Sequence, residues 1–298
     1  VTFKQTSSVA KLNLIANKIR QDIIKELAEA GSGHSAGPLG MSDIFTALYF
    51  HVMNHDPKNP EFAGRDRFIL SNGHICPVWY ATLANAGYFP VEELMTLRKI
   101  DSRLQGHPHY KCAPGVENTA GPLGQGISMA CGIALGGKMD NKPFRVYCGL
   151  GDGEINEGQP WEAFMFAAKF KLDNLIAIID RNRIQIDGNT EDIMPLDPLA
   201  DKMKAFNWNV IEIDGNDMKA VLAAFEVAKK NKGKPTCIIA NTVPGKDVSF
   251  MEHKYEWHGK PPSKDEAVKA LSELTAIEAG LRKMNCEKCG KAAESCQC

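Results

Sequence analysis

The sequence predicts an α/β protein whose parallel sheet is covered by helices on both faces. Four short, β-branched and almost uncharged runs point to the sheet: RVYCGL, LIAIID, NVIEID and TCIIAN, at 145–150, 175–180, 209–214 and 236–241. Segments with helical spacing near 159–170, 198–206 and 217–231 alternate with them. Strands that apolar have to be buried on both sides, which is the pattern of a helix-covered parallel sheet. Two of the runs lead into glycine-bearing polar turns, GDGEINEG (151–158) and RNRIQIDG (181–188). In such sheets ligands bind beyond the carboxyl ends of the strands, so these turns are read as a pair.

The remaining elements follow in order. Apolar positions at Val9, Leu12, Ile15, Ala16, Ile19, Ile23, Ile24 and Leu27 predict a helix over 8–30, stopped by Gly31. A second helix is expected over about 41–53. RDRFILSNGH reads as a short buried strand leaving into a turn at Asn72-Gly73. Helices follow at 77–87 and, more briefly, after Pro90. Between 101 and 126 the periodicity dissolves into glycine, proline and histidine, and a loop that long in a compact domain is usually functional. It feeds ISMACGIALGGKM, a helix of small residues able to pack closely. No repeat or long linker precedes residue 260. The expected division is a diphosphate-binding unit at 1–262 and a C-terminal helix with a cysteine-rich tail at 263–298.

Composition narrows the classes. Of 298 residues 44% are hydrophobic and 24% charged, with a formal net charge of −1, as in ordinary globular proteins. A sequence pI of 6.8 leaves no electrostatic footprint for nucleic acid. No apolar run is long enough to span a bilayer and the start has no signal-peptide pattern, so a cytoplasmic location is expected. Cys76, Cys112, Cys131, Cys148 and Cys237 are scattered in apolar or glycine-rich settings, as thiols in a reducing compartment are.

GDGEINEG holds three carboxylates, Asp152, Glu154 and Glu157, among three glycines. Magnesium takes about six oxygen ligands and often shares them with phosphates. Asp152 at one strand end supplies one ligand; the next strand end offers the Asn182 amide oxygen and the Ile184 carbonyl. Gly153 and nearby amides at a helix start face a phosphate well. A lone GDG or a lone loop asparagine is a common turn. The two, thirty residues apart and each after an apolar strand, make a metal-diphosphate site the sharper reading.

At this point a family resemblance enters. GDGEINEGQPWEA followed by IIDRNRIQIDG resembles the thiamine-diphosphate motif of the transketolase family. GSGHSAGPLGMSDI, DRFILSNGH, GHPH, GPLGQG and EWHGKPP stand in the order and near the spacing of that family, over about residues 8–262. The resemblance implies a thiamine-diphosphate-binding fold of the diphosphate-domain type. It implies that Asp152, Asn182 and the Ile184 carbonyl hold Mg²⁺ and that Gly151 and Gly153 lie at the diphosphate. Gly121 and Leu123 would lie along the cofactor body, and Glu157 near a subunit contact. Glu154 is expected to start a helix and to favour only its positive end.

Eight histidines occur, and an isolated one is usually structural; His51, His55, His109 and His253 are read so. His34, His74, His107 and His258 each adjoin a glycine, Gly33, Gly73, Gly106 and Gly259, which permits close approach to a ligand. Imidazoles exchange protons near neutral pH, and ketol transfer needs protons moved at sugar hydroxyls. By resemblance His74 and His258 sit near the cofactor and the reacting centre. His34 and His107 contact the sugar or assist proton transfer.

One departure stands out: Pro244, in VPGKDVSF, occupies a position where relatives often carry lysine, while Lys246 keeps the second. The family also carries a pyrimidine-binding domain with an activating glutamate after the diphosphate-binding one, and nothing after residue 262 is long enough to be one. The resemblance therefore implies half of a split transketolase. A separate C-terminal subunit would complete an α2β2 heterotetramer acting on sugar phosphates. Alternatives are a deoxyxylulose-phosphate synthase, the α subunit of an oxo-acid dehydrogenase, or an inactive cofactor-binding relative. The tail CEKCGKAAESCQC offers Cys286, Cys289, Cys296 and Cys298, enough thiolates for a structural Zn²⁺.

Overall fold

The computed structural model describes residues 5–289. The chain opens with α1 (Val9–Ala30), capped by the Ser8 side chain and closed by Gly31 in the left-handed region at φ 64°. Then come α2 (Ala36–Ala47), β1 (Arg67–Leu70), α3 (Cys76–Ala86) and α4 (Gly126–Met139). The motif-bearing half follows with β2 (Val146–Gly151), α5 (Gly158–Lys169), β3 (Leu175–Arg181) and a small hairpin of β4 (Ile184–Gln185) and β5 (Gly188–Asn189). The chain continues through α6 (Thr190–Ile193), α7 (Leu199–Ala205), β6 (Asn209–Asp214), α8 (Met218–Lys230), β7 (Thr236–Asn241) and α9 (Lys264–Cys289).

The expected α/β architecture is present. Five strands form one sheet in the order β1-β2-β3-β7-β6, all parallel. Alternation along each strand divides the side chains between two cores. Tyr147, Ile176, Ile178, Ile238 and Ala240 face α1, α2, α3, α8 and the start of α9. Val146, Cys148, Leu150, Leu175, Ala177, Ile179, Cys237 and Ile239 face α4, α5 and α7. The strand order reverses after β3, and a crevice opens beyond the carboxyl ends of β2 and β3.

Two elements differ from expectation. α2 begins at Ala36 rather than 41, because Pro38 lies in the first turn, where its missing N–H costs nothing. The stretch after Pro90 is a 3₁₀ turn, Val91–Thr96, rather than an α-helix. The long loop before α4 stays irregular but is anchored. Asn118 is buried, its Oδ1 accepting from the Leu70 N–H (3.0 Å) and its Nδ2 donating to the Leu70 carbonyl (2.9 Å). One side chain thus takes the place of a neighbouring strand at the exposed edge of β1 and brings Gly121 to the crevice.

α9 starts just past the expected boundary at 262 and packs on α1. Ala267, Ala270 and Leu274 are buried there, and Asn17 donates to the Leu274 carbonyl (3.1 Å). Among the described residues no helix is long and apolar enough to cross a membrane. Cys76, Cys112, Cys131, Cys148 and Cys237 are free thiols. Cys286 and Cys289 fall beyond the described side chains, and Cys296 and Cys298 lie outside the described residues.

Candidate active site

β2 and β3 run side by side with Gly151 paired to Asp180, so the residues that follow, Asp152 and Asn182, emerge together. Asp152 is buried. Its Oδ1 accepts from the Gly153 N–H (2.7 Å), and its Oδ2 from the Arg183 N–H (2.7 Å) and Arg181 Nη1 (3.0 Å). Burial pushes its carboxyl pKa up, against the opposing pull of Arg181. Arg181 is itself held by Glu191 and by Asp197 at 3.1 Å. Asp180, the last acid of β3, is also buried; its Oδ1 accepts from the Thr242 hydroxyl and its Oδ2 from Asn182 Nδ2 (2.8 Å). That bond fixes the Asn182 amide, whose Oδ1 accepts from the Ile184 N–H at 3.0 Å. Burial, and then the charge of Asp152, push Asp180 up to about 7.

Asp152, Asn182 and Ile184 line one cavity of about 410 Å³. One carboxylate, one amide oxygen and one backbone carbonyl are hard oxygen donors that suit Mg²⁺. Among the described residues no three His, Cys, Asp or Glu side chains form a self-contained metal cage. A cation here has to share ligands with a bound anion.

The same cavity gathers the rest of the expected set. His34, His74, His107 and His258 line it, as do Gly121, Leu123, Gly151 and Gly153. The imidazole centroids of His34, His74 and His258 form a triangle with sides of 4.8, 5.1 and 5.6 Å. Four buried polar atoms lining the cavity have no hydrogen-bond partner among the described residues: His34 Nδ1, Asn72 Oδ1, Gln185 Nε2 and His258 Nδ1. Unpaired buried polar atoms are costly, and a concentration of them in one cavity fits a polar ligand. The other four histidines stand elsewhere. His51 faces the Thr6 carbonyl (3.1 Å), His55 the Tyr88 hydroxyl (2.8 Å), and His109 the Tyr110 carbonyl (3.2 Å). His253 lies at a neighbouring cavity with Pro244.

Several particulars correct the sequence reading. The cavity histidines are not poised at neutral pH. Burial and mutual repulsion lower His34 to about 4, His74 well below its ordinary value, and burial lowers His258. At pH 7 they are neutral hydrogen-bonding groups able to accept a proton. The glycines beside them mostly make room for protein. A Cβ on Gly33 would stand 2.5 Å from Leu27, on Gly73 2.6 Å from Ala120, and on Gly106 2.5 Å from the Arg98 guanidinium carbon. Gly153 likewise gives space to Gln185, whose Oε1 would lie 2.8 Å from an added Cβ.

Glu154 does lie in the first turn of a short helix, the 3₁₀ turn Gly153–Asn156, but it does more than favour that helix end. It is buried, and its Oε1 accepts from the Ser71 hydroxyl (2.5 Å) and the Gly124 N–H (2.7 Å), its Oε2 from the Gly151 N–H (2.9 Å). It ties the ends of β1 and β2 to the loop before α4. Glu157 is exposed at the start of α5. Lys246 pairs with Asp247 (3.1 Å) and Glu252 (3.6 Å) rather than lining the cavity.

Sequence reading missed Asn72, Asp180, Arg181 and Gln185 as parts of the site. Only Asp180 carried a local signal, an acid closing an otherwise apolar strand.

Comparison with known proteins places this arrangement. Residues 12–279 match the family described as "Transketolase, thiamine diphosphate binding domain". The chain is 45% identical over 259 residues to the 6-deoxy-6-sulfo-D-fructose transketolase subunit SqwG of a Clostridium species, covering 87% of this chain and 94% of that one. It is 44% identical over 271 residues to one subunit of the apulose-4-phosphate transketolase of Actinobacillus succinogenes, covering 90% and 97%. Among solved structures, transketolase from Leishmania mexicana superposes with a TM-score of 0.80 at 30% identity, over 95% of this chain and 47% of its own. The chain thus spans nearly the whole of the subunit-sized relatives and about half of the solved transketolase. On motif order, fold and these matches together, it belongs to the transketolase family, in its thiamine-diphosphate-binding domain.

Proposed function

We propose that this chain is the diphosphate-binding subunit of a two-chain transketolase. It would move a two-carbon ketol unit from a ketose phosphate to an aldose phosphate. The observation that carries the reading is the convergence of four histidines, two strand-end metal donors and four unpaired polar atoms on one cavity. Residues 1–262 carry the site, and α9 covers the helices behind it.

Thiamine diphosphate, when bound, supplies the nucleophilic carbon that takes up the ketol unit. Asp152, Asn182 and the Ile184 carbonyl hold Mg²⁺, with Asp180 orienting the amide. Gly151 and Gly153 bring backbone to the diphosphate, Gly121 and Leu123 lie along the rings, and His74 and His258 pair with the cofactor side of the cavity. His34 and His107 face the sugar. Being neutral at pH 7, His34 can accept a hydroxyl proton as a carbon–carbon bond breaks and return it as the next one forms.

A second subunit supplies the aminopyrimidine pocket, its glutamate and most contacts to the sugar's anionic end, in an α2β2 assembly within the cytoplasm. The names of the subunit-sized relatives support a partner. Their substrates, apulose 4-phosphate and a sulfonated deoxyfructose, support a sugar with an anionic terminus. The four tail cysteines, Cys286, Cys289, Cys296 and Cys298, remain a proposed Zn²⁺ site. Zinc content that does not change in a Cys286→Ser/Cys289→Ser variant would remove it.

The test is purification alone and together with the partner subunit. Ketol transfer is expected from the mixture and negligible turnover from the isolated chain. Substantial turnover by the isolated chain, or a complex that acts on pyruvate and not on sugar phosphates, refutes the proposal.

A further inference from the structure

Arg98 stands beside the cavity without a role in anything described so far. Its backbone is in the left-handed region at φ 60°, a costly conformation for a residue other than glycine, and its N–H donates to the Leu104 carbonyl at 2.9 Å. Its neighbours Lys99 and Arg103 have carboxylate partners, Glu29 and Glu93. Among the described residues no carboxylate pairs with Arg98. Its Nη1 donates to the Ser32 hydroxyl (3.2 Å) and its Nη2 reaches the Gly106 carbonyl (3.5 Å). Ser32 is two residues before His34, and Gly106 directly precedes His107.

The guanidinium also lies against Gly106, where any side chain would collide with it. Gly106 has no left-handed φ of its own, so the backbone does not require glycine there. The missing Cβ serves the arginine. A second cavity of about 810 Å³, lined by Arg98, Gly106 and His107, adjoins the first at His107.

We propose that Arg98 is a positioning residue whose planar fork ties the Ser32–His34 segment to the Gly106–His107 segment. It thereby fixes the spacing of the two sugar-facing histidines. Guanidinium suits this because one rigid plane can donate in two directions and stack on a bare Cα. Its charge acts on the same two groups. Arg98 lowers the pKa of both histidines, beside the effect of burial on each and of His258 and His107 on His34. The inference rests on reading His34 and His107 as sugar-side groups.

The test uses Arg98→Ala, Arg98→Lys, Gly106→Ala and the double variant R98A/G106A, each assembled with the partner subunit. Gly106→Ala is the decisive variant, because it displaces the guanidinium while leaving the arginine in the chain. Arg98→Ala and Gly106→Ala are each expected to lower kcat about ten- to a hundredfold while KM for the sugar phosphate moves by less than about threefold. The double variant should be no worse than R98A, since both remove one interaction. Arg98→Lys keeps the charge but not the fork and should not restore kcat.

Histidine NMR titration of the isolated chain gives a readout independent of turnover. The His34 and His107 midpoints should rise in R98A and stay low in R98K. Additive losses in the double variant, or full kcat in Gly106→Ala, overturn the proposal. So does a defect confined to KM for phosphorylated sugars and absent with unphosphorylated ones, which would make Arg98 a substrate contact. If His34→Ala and His107→Ala leave turnover intact, the functional reading of those histidines falls. The titration and the double-variant comparison still decide whether the fork couples the two segments.

Discussion

The histidine triangle makes the unliganded chain sensitive to acid, and His34→Asn measures by how much. An unfolded histidine titrates near 6.5, whereas His34 in the fold is lowered to about 4. Above about pH 6.5 both states are neutral and the residue contributes no pH dependence. As pH falls below that, the unfolded chain gains a proton that the folded chain refuses, so stability is lost progressively down to about 4. At pH 5 the loss from this one group is about 2 kcal/mol, or about 1–2 allowing for its partial exposure. The neighbours cannot absorb the proton instead. Burial lowers His74 and His258 as well, so neither takes up the proton in its place. Urea unfolding followed by circular dichroism at pH 7.5 and pH 5.0 reads the effect. His34→Asn should lose about 1–2 kcal/mol less than the parent over that interval. Equal losses in the two proteins would show that the folded cavity accepts the proton, and the neutral-imidazole account would be wrong.

Glu154→Gln replaces one acceptor oxygen with an NH2 group facing a buried donor. It should cost about 1–3 kcal/mol in denaturant unfolding; unchanged stability would show that Ser71, Gly124 and Gly151 have other partners. Asp180→Asn keeps the shape but weakens the hold on Asn182, so Mg²⁺ affinity measured by calorimetry in the presence of thiamine diphosphate should fall about tenfold or more. In the parent, binding should strengthen as pH rises through about 7, because Asp180 gives up its proton on ionising there. That slope should disappear in Asp180→Asn, and a slope that persists excludes Asp180 as its source. Glu26 is buried with no hydrogen-bond partner for either oxygen among the described residues, and burial holds its carboxyl well above the ordinary range. A raised folded pKa means stability is present below the unfolded value and lost as pH rises. Glu26→Gln should therefore be the more stable protein at pH 8 by thermal unfolding; a less stable variant would contradict this.

The fold is legible in the sequence because its signals are local. The largely apolar runs of β2, β3 and β7 and the helical spacing of α1 and α8 are written into consecutive residues. The pairing of Asp152 with Asn182 is legible for a related reason: adjacent parallel strands put their ends together. What does not show is whatever depends on distant residues. Glu154 looks like the first acid of a helix, yet its partner Ser71 is 83 positions away and Gly124 is 30. Gly106 looks like room for a ligand, yet it seats Arg98. The histidines look proton-ready by type, and only burial beside one another makes them neutral. The start of α2 reads too late because Gly37, Pro38 and Gly40 mimic a loop, although a first-turn proline is compatible with a helix.

The contact between α1 and α9 has a bearing on how the protein is made. Asn17 and Gln21 on the first helix bond to Leu274 and Glu278 on the last, each pair 257 residues apart. While the chain is still emerging from the ribosome, the side of α1 that α9 covers has no permanent partner, and contacts across such a span are slow to close. The cofactor-facing loops can form early, but the scaffold behind them is sealed only when α9 arrives. A chaperone that shields α1 during synthesis, or a pause in translation late in the message, would therefore affect yield without touching a single residue of the cavity.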